Sequence, residues 1–143
     1  MIMEHVVPFQ GRLELDYPTV TATDLFLTKI QVTAFTEKDL KDLWLLLRGH
    51  EVGTDRDGRA INPSYVAALL ADDWGFWYDA TSNLERVRRF TTDSQLLAPD
   101  AKIDILDKVA RIARAIAEQP KTLRWKIRSK IGTHMQWYRP VEE

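Results

Sequence analysis

Two helix starts stand close together in the first third of this chain, and they restrict its fold more than anything else in it. Thr21 is followed three residues later by Asp24, and Thr36 in the same way by Asp39. A threonine hydroxyl accepts from the amide three residues on, and an acid there reaches back to the threonine amide. Each pair therefore satisfies donors that a helix N-terminus would leave orphaned. Val20 against Leu25 and Phe35 against Leu40 add a hydrophobic staple at each start. The spacing predicts helices over about Thr21 to Thr33 and Thr36 to Arg48, the second closed by Gly49.

Downstream the pattern stays helical. The polar stretch Glu51 to Arg59, with its Asp57-Gly58 turn signal, reads as a loop, and Asn62 before Pro63 reads as a cap and first turn. Val66, Leu70, Asp73, Trp77, Ala80, Leu84 and Val87 line one face of a long helix, or of one broken at Gly75. Pro99 opens a further helix through Ile103, Leu106, Val109, Ile112 and Ile116, which Pro120 ends. A last helix, about Lys121 to Tyr138, carries Leu123, Ile127, Ile131, Met135 and Tyr138 on its expected inner face. Ahead of all this, Ile2 to Phe9 and Leu13 to Leu15 read as two short strands. The expected fold is mainly α: a bundle of about five helices behind a short N-terminal strand pair. Residues 1–143 form one expected domain, with strands over 1–16, a helix pair over 21–48 and a bundle over 62–138. Two strands alone are marginal in water, so this pair resembles the edge of a larger sheet.

Composition narrows the chemistry. Cysteine is absent, no apolar run nears the roughly 20 residues that cross a bilayer, and no secretory leader is readable, so a cytoplasmic setting without a membrane partner is expected. Net charge is only −1, yet no acid stands between Glu118 and Glu142, where Lys121, Arg124, Lys126, Arg128, Lys130 and Arg139 all fall. The three histidines are scattered and no zinc spacing is present. Asp55-Arg56-Asp57-Gly58 fails as a calcium loop, because Gly53 and Ser64 would occupy the first and twelfth positions, where acids are needed.

Lys29 is the residue that most needs a partner. It follows Leu25 and Phe26 by four and three positions, in the apolar stripe of the first helix. An ammonium buried there alone costs several kcal/mol, on the order of a lost ion pair. Asp39 and Asp42 on the next helix are the available carboxylates. The plain alternative to a functional role is a structural ion pair joining two helices.

Taken together, Ala22 to Val32 with its lysine, and Glu37-Lys38-Asp39-Leu40-Lys41-Asp42-Leu43, resemble the third and fourth motifs of the abortive-infection (AbiEii-type) nucleotidyltransferase toxins. That resemblance implies Lys29, Asp39 and Asp42 in the catalytic roles, with Lys29 and Lys38 facing nucleotide phosphates. It also implies magnesium and a nucleoside triphosphate for an intact family member. The family's Gly-Ser followed by Asp-x-Asp, which holds the metal, has no counterpart here, and lysine replaces arginine at position 38. The chain is therefore expected to hold no cofactor and to be inactive alone: the C-terminal portion of such a protein, with a missing catalytic half or a second copy of itself as partner. An unread upstream start, a split gene and a decayed copy would each produce this pattern.

Two further clusters remain. Lys121, Arg124 and Arg128 follow one stripe of the last helix and Lys126, Lys130 and Trp137 another, with Trp125 beside them. Interleaved cations and aromatics suit single-stranded RNA, whereas the plain alternative is a solvated face whose aliphatic stems cover the core. Asp72 to Asp79 encloses Trp74, Phe76, Trp77 and Tyr78, and core packing is the simpler account than a base pocket. The rival to a nucleotidyltransferase-like function is thus a non-enzymatic RNA-binding, nucleotide-binding or protein-interaction module.

Overall fold

Thr21 and Thr36 do open helices. The computed structural model describes residues 21–54 and 58–134, and in it α1 spans Ala22–Ile30 and α2 spans Glu37–Gly49. The Thr36 hydroxyl accepts from the Asp39 amide, while Asp39 Oδ2 accepts from the Thr36 amide at 2.9 Å, a complete capping box. α1 stops short of the expected Thr33. The carbonyls of Ile30 and Val32 instead accept from the buried Asn83 side chain at 2.9 and 2.7 Å, which draws the chain off the helix axis.

The loop after α2 is pinned by an isolated parallel bridge between Val52 and Ile61, with Ile61 N donating to the Glu51 carbonyl and Gly53 N to the Ile61 carbonyl. Asn62 then caps α3 (Pro63–Leu70), its side chain accepting from the Ser64 and Tyr65 amides. The break that follows falls at Ala71 to Asp73, ahead of Gly75. Asp73 is the N-cap of α4 (Trp74–Asp93), accepting from the Phe76 amide at 3.1 Å, so it caps a helix and is not a member of one continuous helical face. An acid that completes a helix start satisfies an orphaned amide and complements the helix dipole, which outweighs the four-and-three periodicity that ran through it. α5 (Pro99–Glu118) and α6 (Leu123–Ile131) complete six α-helices among the described residues, followed by a 3-10 turn at Gly132–His134. The expected strand pair, Met135 and Tyr138 lie outside the described residues.

The helices enclose one contiguous apolar core. α5 packs on α3, α4 and α2, and α1 on α2, α3 and α4. Phe26, Leu27, Leu43, Leu47, Ile61, Leu70, Phe76, Ile105, Ile112 and Ile116 are fully buried within it. Each such side chain removes area worth about 1.5–3 kcal/mol. The register of two helices differs from expectation. On α5 the buried face is Ile105, Lys108, Val109, Ile112 and Ile116, and Ile103 turns outward at 71% exposure. α6 buries no residue at all, and its expected inner stripe of Leu123, Ile127 and Ile131 faces solvent at 72%, 56% and 37%.

Lys108 explains part of this. It is 3% exposed, and its ammonium donates to the Leu47 carbonyl at the C-terminal end of α2 (2.6 Å) while pairing with Asp104 at 3.2 Å. A cation placed on the last carbonyls of a helix satisfies acceptors that have no partner within the helix. Lys121 does the same for α5, donating to the Ile116 and Gln119 carbonyls, and burial pushes its pKa down.

Candidate functional site

Lys29 ends α1 as a last-turn cation, placed where the helix dipole favours positive charge. Its neighbours Phe26, Leu27 and Ile30 are buried, but Leu25 is 41% exposed, so Lys29 sits at the rim of the apolar face and not within it. Its ammonium lies 3.0 Å from Asp42 Oδ2 on α2, with side-chain exposures of 39% and 28%. Lys38, one turn before Asp42, reaches the same oxygen at 3.9 Å and is 85% exposed. One carboxylate thus receives two ammonium groups at the open edge between two helices. The hydrogen bond from Lys29 holds the Asp42 carboxyl below its usual range; partial desolvation opposes this, and the charges of Lys29 and Lys38 add to it.

Asp39 stands apart from this trio. Its Oδ2 accepts from the amide and the hydroxyl of Thr36, at 2.9 and 2.8 Å, and makes no ion pair with Lys29. The expectation that both acids neutralise the lysine is corrected: Asp42 does so, and Asp39 is a cap. Adjacent residues on a helix point about 100° apart, so acids three apart share one face only loosely, and the capping box claims the first. Asp39 Oδ2 is thus engaged at Thr36, and Asp42 Oδ2 at two lysines.

The basic helix divides in a similar way. Thr122 caps α6 and ties it to the end of α3, its amide donating to the Ala71 carbonyl at 3.0 Å and its hydroxyl to Asp72 at 2.9 Å. That tether lays α6 across an aromatic cluster at the start of α4. Trp74 stacks on Tyr78 at 5.2 Å, and Trp125 meets Trp77 edge-to-face at 5.1 Å. Arg128 lies over the Trp74 ring at 4.9 Å and Lys121 beside Trp125 at 5.7 Å, both in cation–π contact. Lys121 and Arg128 are therefore turned to the protein. Arg124, 3.9 Å from Asp72 but 78% exposed, together with Lys126 and Lys130, faces outward. The ring of Trp125 is engaged inside the cluster, and Trp137 lies outside the described residues.

A third place was not legible in the sequence. Between α2 and the C-terminal half of α4 runs a groove of about 540 Å³, walled by Phe35, Leu40, Trp44, Phe90 and Leu96, with Arg86 on one side. Its lining comes from two helices and the segments beside them, so no single stretch of sequence signalled it. Neither a family model, nor a curated protein, nor a solved structure matches the chain.

Proposed function

We propose that this chain supplies the nucleotide-facing helical part of a nucleotidyltransferase-like protein and does not transfer a nucleotidyl group by itself. The observation that carries this reading is the trio at the α1–α2 edge: Lys29 held at 3.0 Å by Asp42 and Lys38 arriving at 3.9 Å. Two ammonium groups around one carboxylate leave one positive charge over. Both remain open enough to meet a phosphate, and Asp42 fixes where Lys29 points. A lysine presented this way serves as a point charge for a triphosphate. Metal neutralisation of the developing charge has to come from carboxylates other than Asp39 and Asp42.

Calorimetric titration of the chain with each of the four common ribonucleoside triphosphates, with and without magnesium chloride, tests this. Weak binding is expected, falling by about tenfold or more in Lys29→Met, since a charge-assisted contact worth about 1.5–3 kcal/mol is lost. Binding equal in wild type and Lys29→Met, or none in either, overturns the reading.

A binding module without chemistry is favoured by a separate observation, the exposed cations of a helix that buries nothing: Lys126 and Lys130 on one stripe and Arg124 on the other. On this reading these cations contact nucleic-acid phosphates. A shift assay with single-stranded RNA at rising salt compares wild type with Arg124→Ala/Lys126→Ala/Lys130→Ala. The triple variant is expected to bind more weakly and with a shallower salt slope. Unchanged affinity at low salt ends this second reading.

A further inference from the structure

The groove between α2 and α4 has the size of a small-molecule site, about 540 Å³. Its walls are prepared in advance. Trp44 is held in one orientation because its indole N–H donates to the buried Thr91 hydroxyl at 2.8 Å, and Phe90, half exposed, stands beside it. Trp44 is itself only 8% exposed, so the apolar surface left for a bound apolar body to cover is chiefly that of Phe90 at 50% and Leu96 at 76%.

The polar feature of the groove is Arg86. It is half-buried, and its guanidinium Nη1 donates to Asn83 Oδ1 at 2.8 Å. Asn83 is immobile: fully buried, it spends its amide N–H groups on the Ile30 and Val32 carbonyls. Arg86 is therefore oriented by a fixed acceptor. Among the described residues it forms no ion pair and its one hydrogen bond is to Asn83, and it lines the groove. The two acids at the rim are otherwise placed. Glu37 is 77% exposed and pairs with Lys41 at 3.4 Å, and Asp93 is exposed at the end of α4.

We propose that this groove binds a small molecule made of a flat apolar body and an anionic head, an aromatic carboxylate in the simplest case, with Arg86 taking the anion and Phe35, Trp44 and Phe90 the rings. A half-desolvated guanidinium with open donors is completed by a planar anion, which it contacts in a fork. The proposal is independent of the Lys29 trio, which lies on a different face of α2.

The probe is 2-naphthoate, with 2-naphthamide as its uncharged counterpart, titrated into the isotopically labelled chain and followed by amide and indole chemical shifts. Saturable shifts are expected at residues 35–44 and 86–96, including the Trp44 indole N–H. Naphthamide is expected to bind about tenfold more weakly or worse, the loss of a charge-assisted contact. Arg86→Gln, which keeps a polar side chain and removes the charge, is expected to weaken naphthoate by a similar factor while leaving naphthamide unchanged. Circular dichroism confirms that the variant is folded. Shifts that do not saturate, that map elsewhere, or that are equal for acid and amide overturn the proposal, as does undiminished naphthoate binding to a folded Arg86→Gln.

Discussion

Asp39 and Asp42 are the same residue type three positions apart on one helix, and the structure gives them separate tasks. Asp39 closes the capping box with Thr36, and Asp42 holds Lys29. Loss of the Asp39 cap is expected to cost about 0.5–2 kcal/mol in urea unfolding of Asp39→Ala. A double-mutant cycle should return a coupling of about 0.2–1 kcal/mol between Lys29 and Asp42, and close to zero between Lys29 and Asp39. Comparable coupling in both pairs would contradict the assignment. The Asp42 interaction also has a defined pH range. Its folded pKa is lowered from 3.8, so the unfolded chain takes up a proton more readily than the folded one. The contribution is complete above that value and fades as pH falls through the lower folded pKa. Wild type and Asp42→Asn should therefore differ in unfolding free energy at pH 7 and converge well below pH 3.8.

At the level of elements, cations placed on helix C-termini do much of the joining. Lys108 of α5 closes the end of α2 through the Leu47 carbonyl, and Asp104, one turn earlier, binds both Lys108 and Arg48, the latter at 3.0 Å. Desolvation pushes Asp104 up, yet hydrogen bonds from Lys108 and Arg48 outweigh it and its pKa is lowered. Lys108→Ala removes a buried stem and strands a carbonyl, and is expected to lower stability by about 2–4 kcal/mol in thermal melts. Lys108→Met keeps the stem and should cost about half as much. A loss below 1 kcal/mol, about the level of an exposed pair, in Lys108→Ala would show that the contact contributes nothing beyond the surface.

Among the described residues, the core runs through α1 to α5, while α6 is attached at its N-cap and along the aromatic cluster. Ile112→Ala, at a fully buried position, should cost about 2–5 kcal/mol. Leu123→Ser and Ile127→Ser, on the exposed stripe of α6, should change stability by no more than about 0.5 kcal/mol. Large losses in the latter pair would mean that the stripe is covered. Amide exchange in α6 is expected to outpace that in α5 for the same reason, since few buried contacts hold it closed.

The sequence by itself determined where three of the helices begin. Thr21, Thr36 and Asn62 each cap the helix assigned to them, because a cap is a local bond between a side chain and an amide two or three residues away. It also indicated that a partner acid for Lys29 would come from the second helix, whose Asp39 and Asp42 are the carboxylates nearest to it in the next element, although Lys29 proved to sit at the rim of the apolar face. Which of two acids that is, which face of α5 and α6 turns inward, and where Trp125 lodges were decided only by the tertiary structure. Those outcomes depend on residues distant in the chain: Asp72 and Ala71 hold α6, the end of α2 captures Lys108, and Asn83 halts α1. The Arg86 groove belongs to the same class. Its walls come from α2, α4 and the connections beside them, so no single stretch of sequence displays them together.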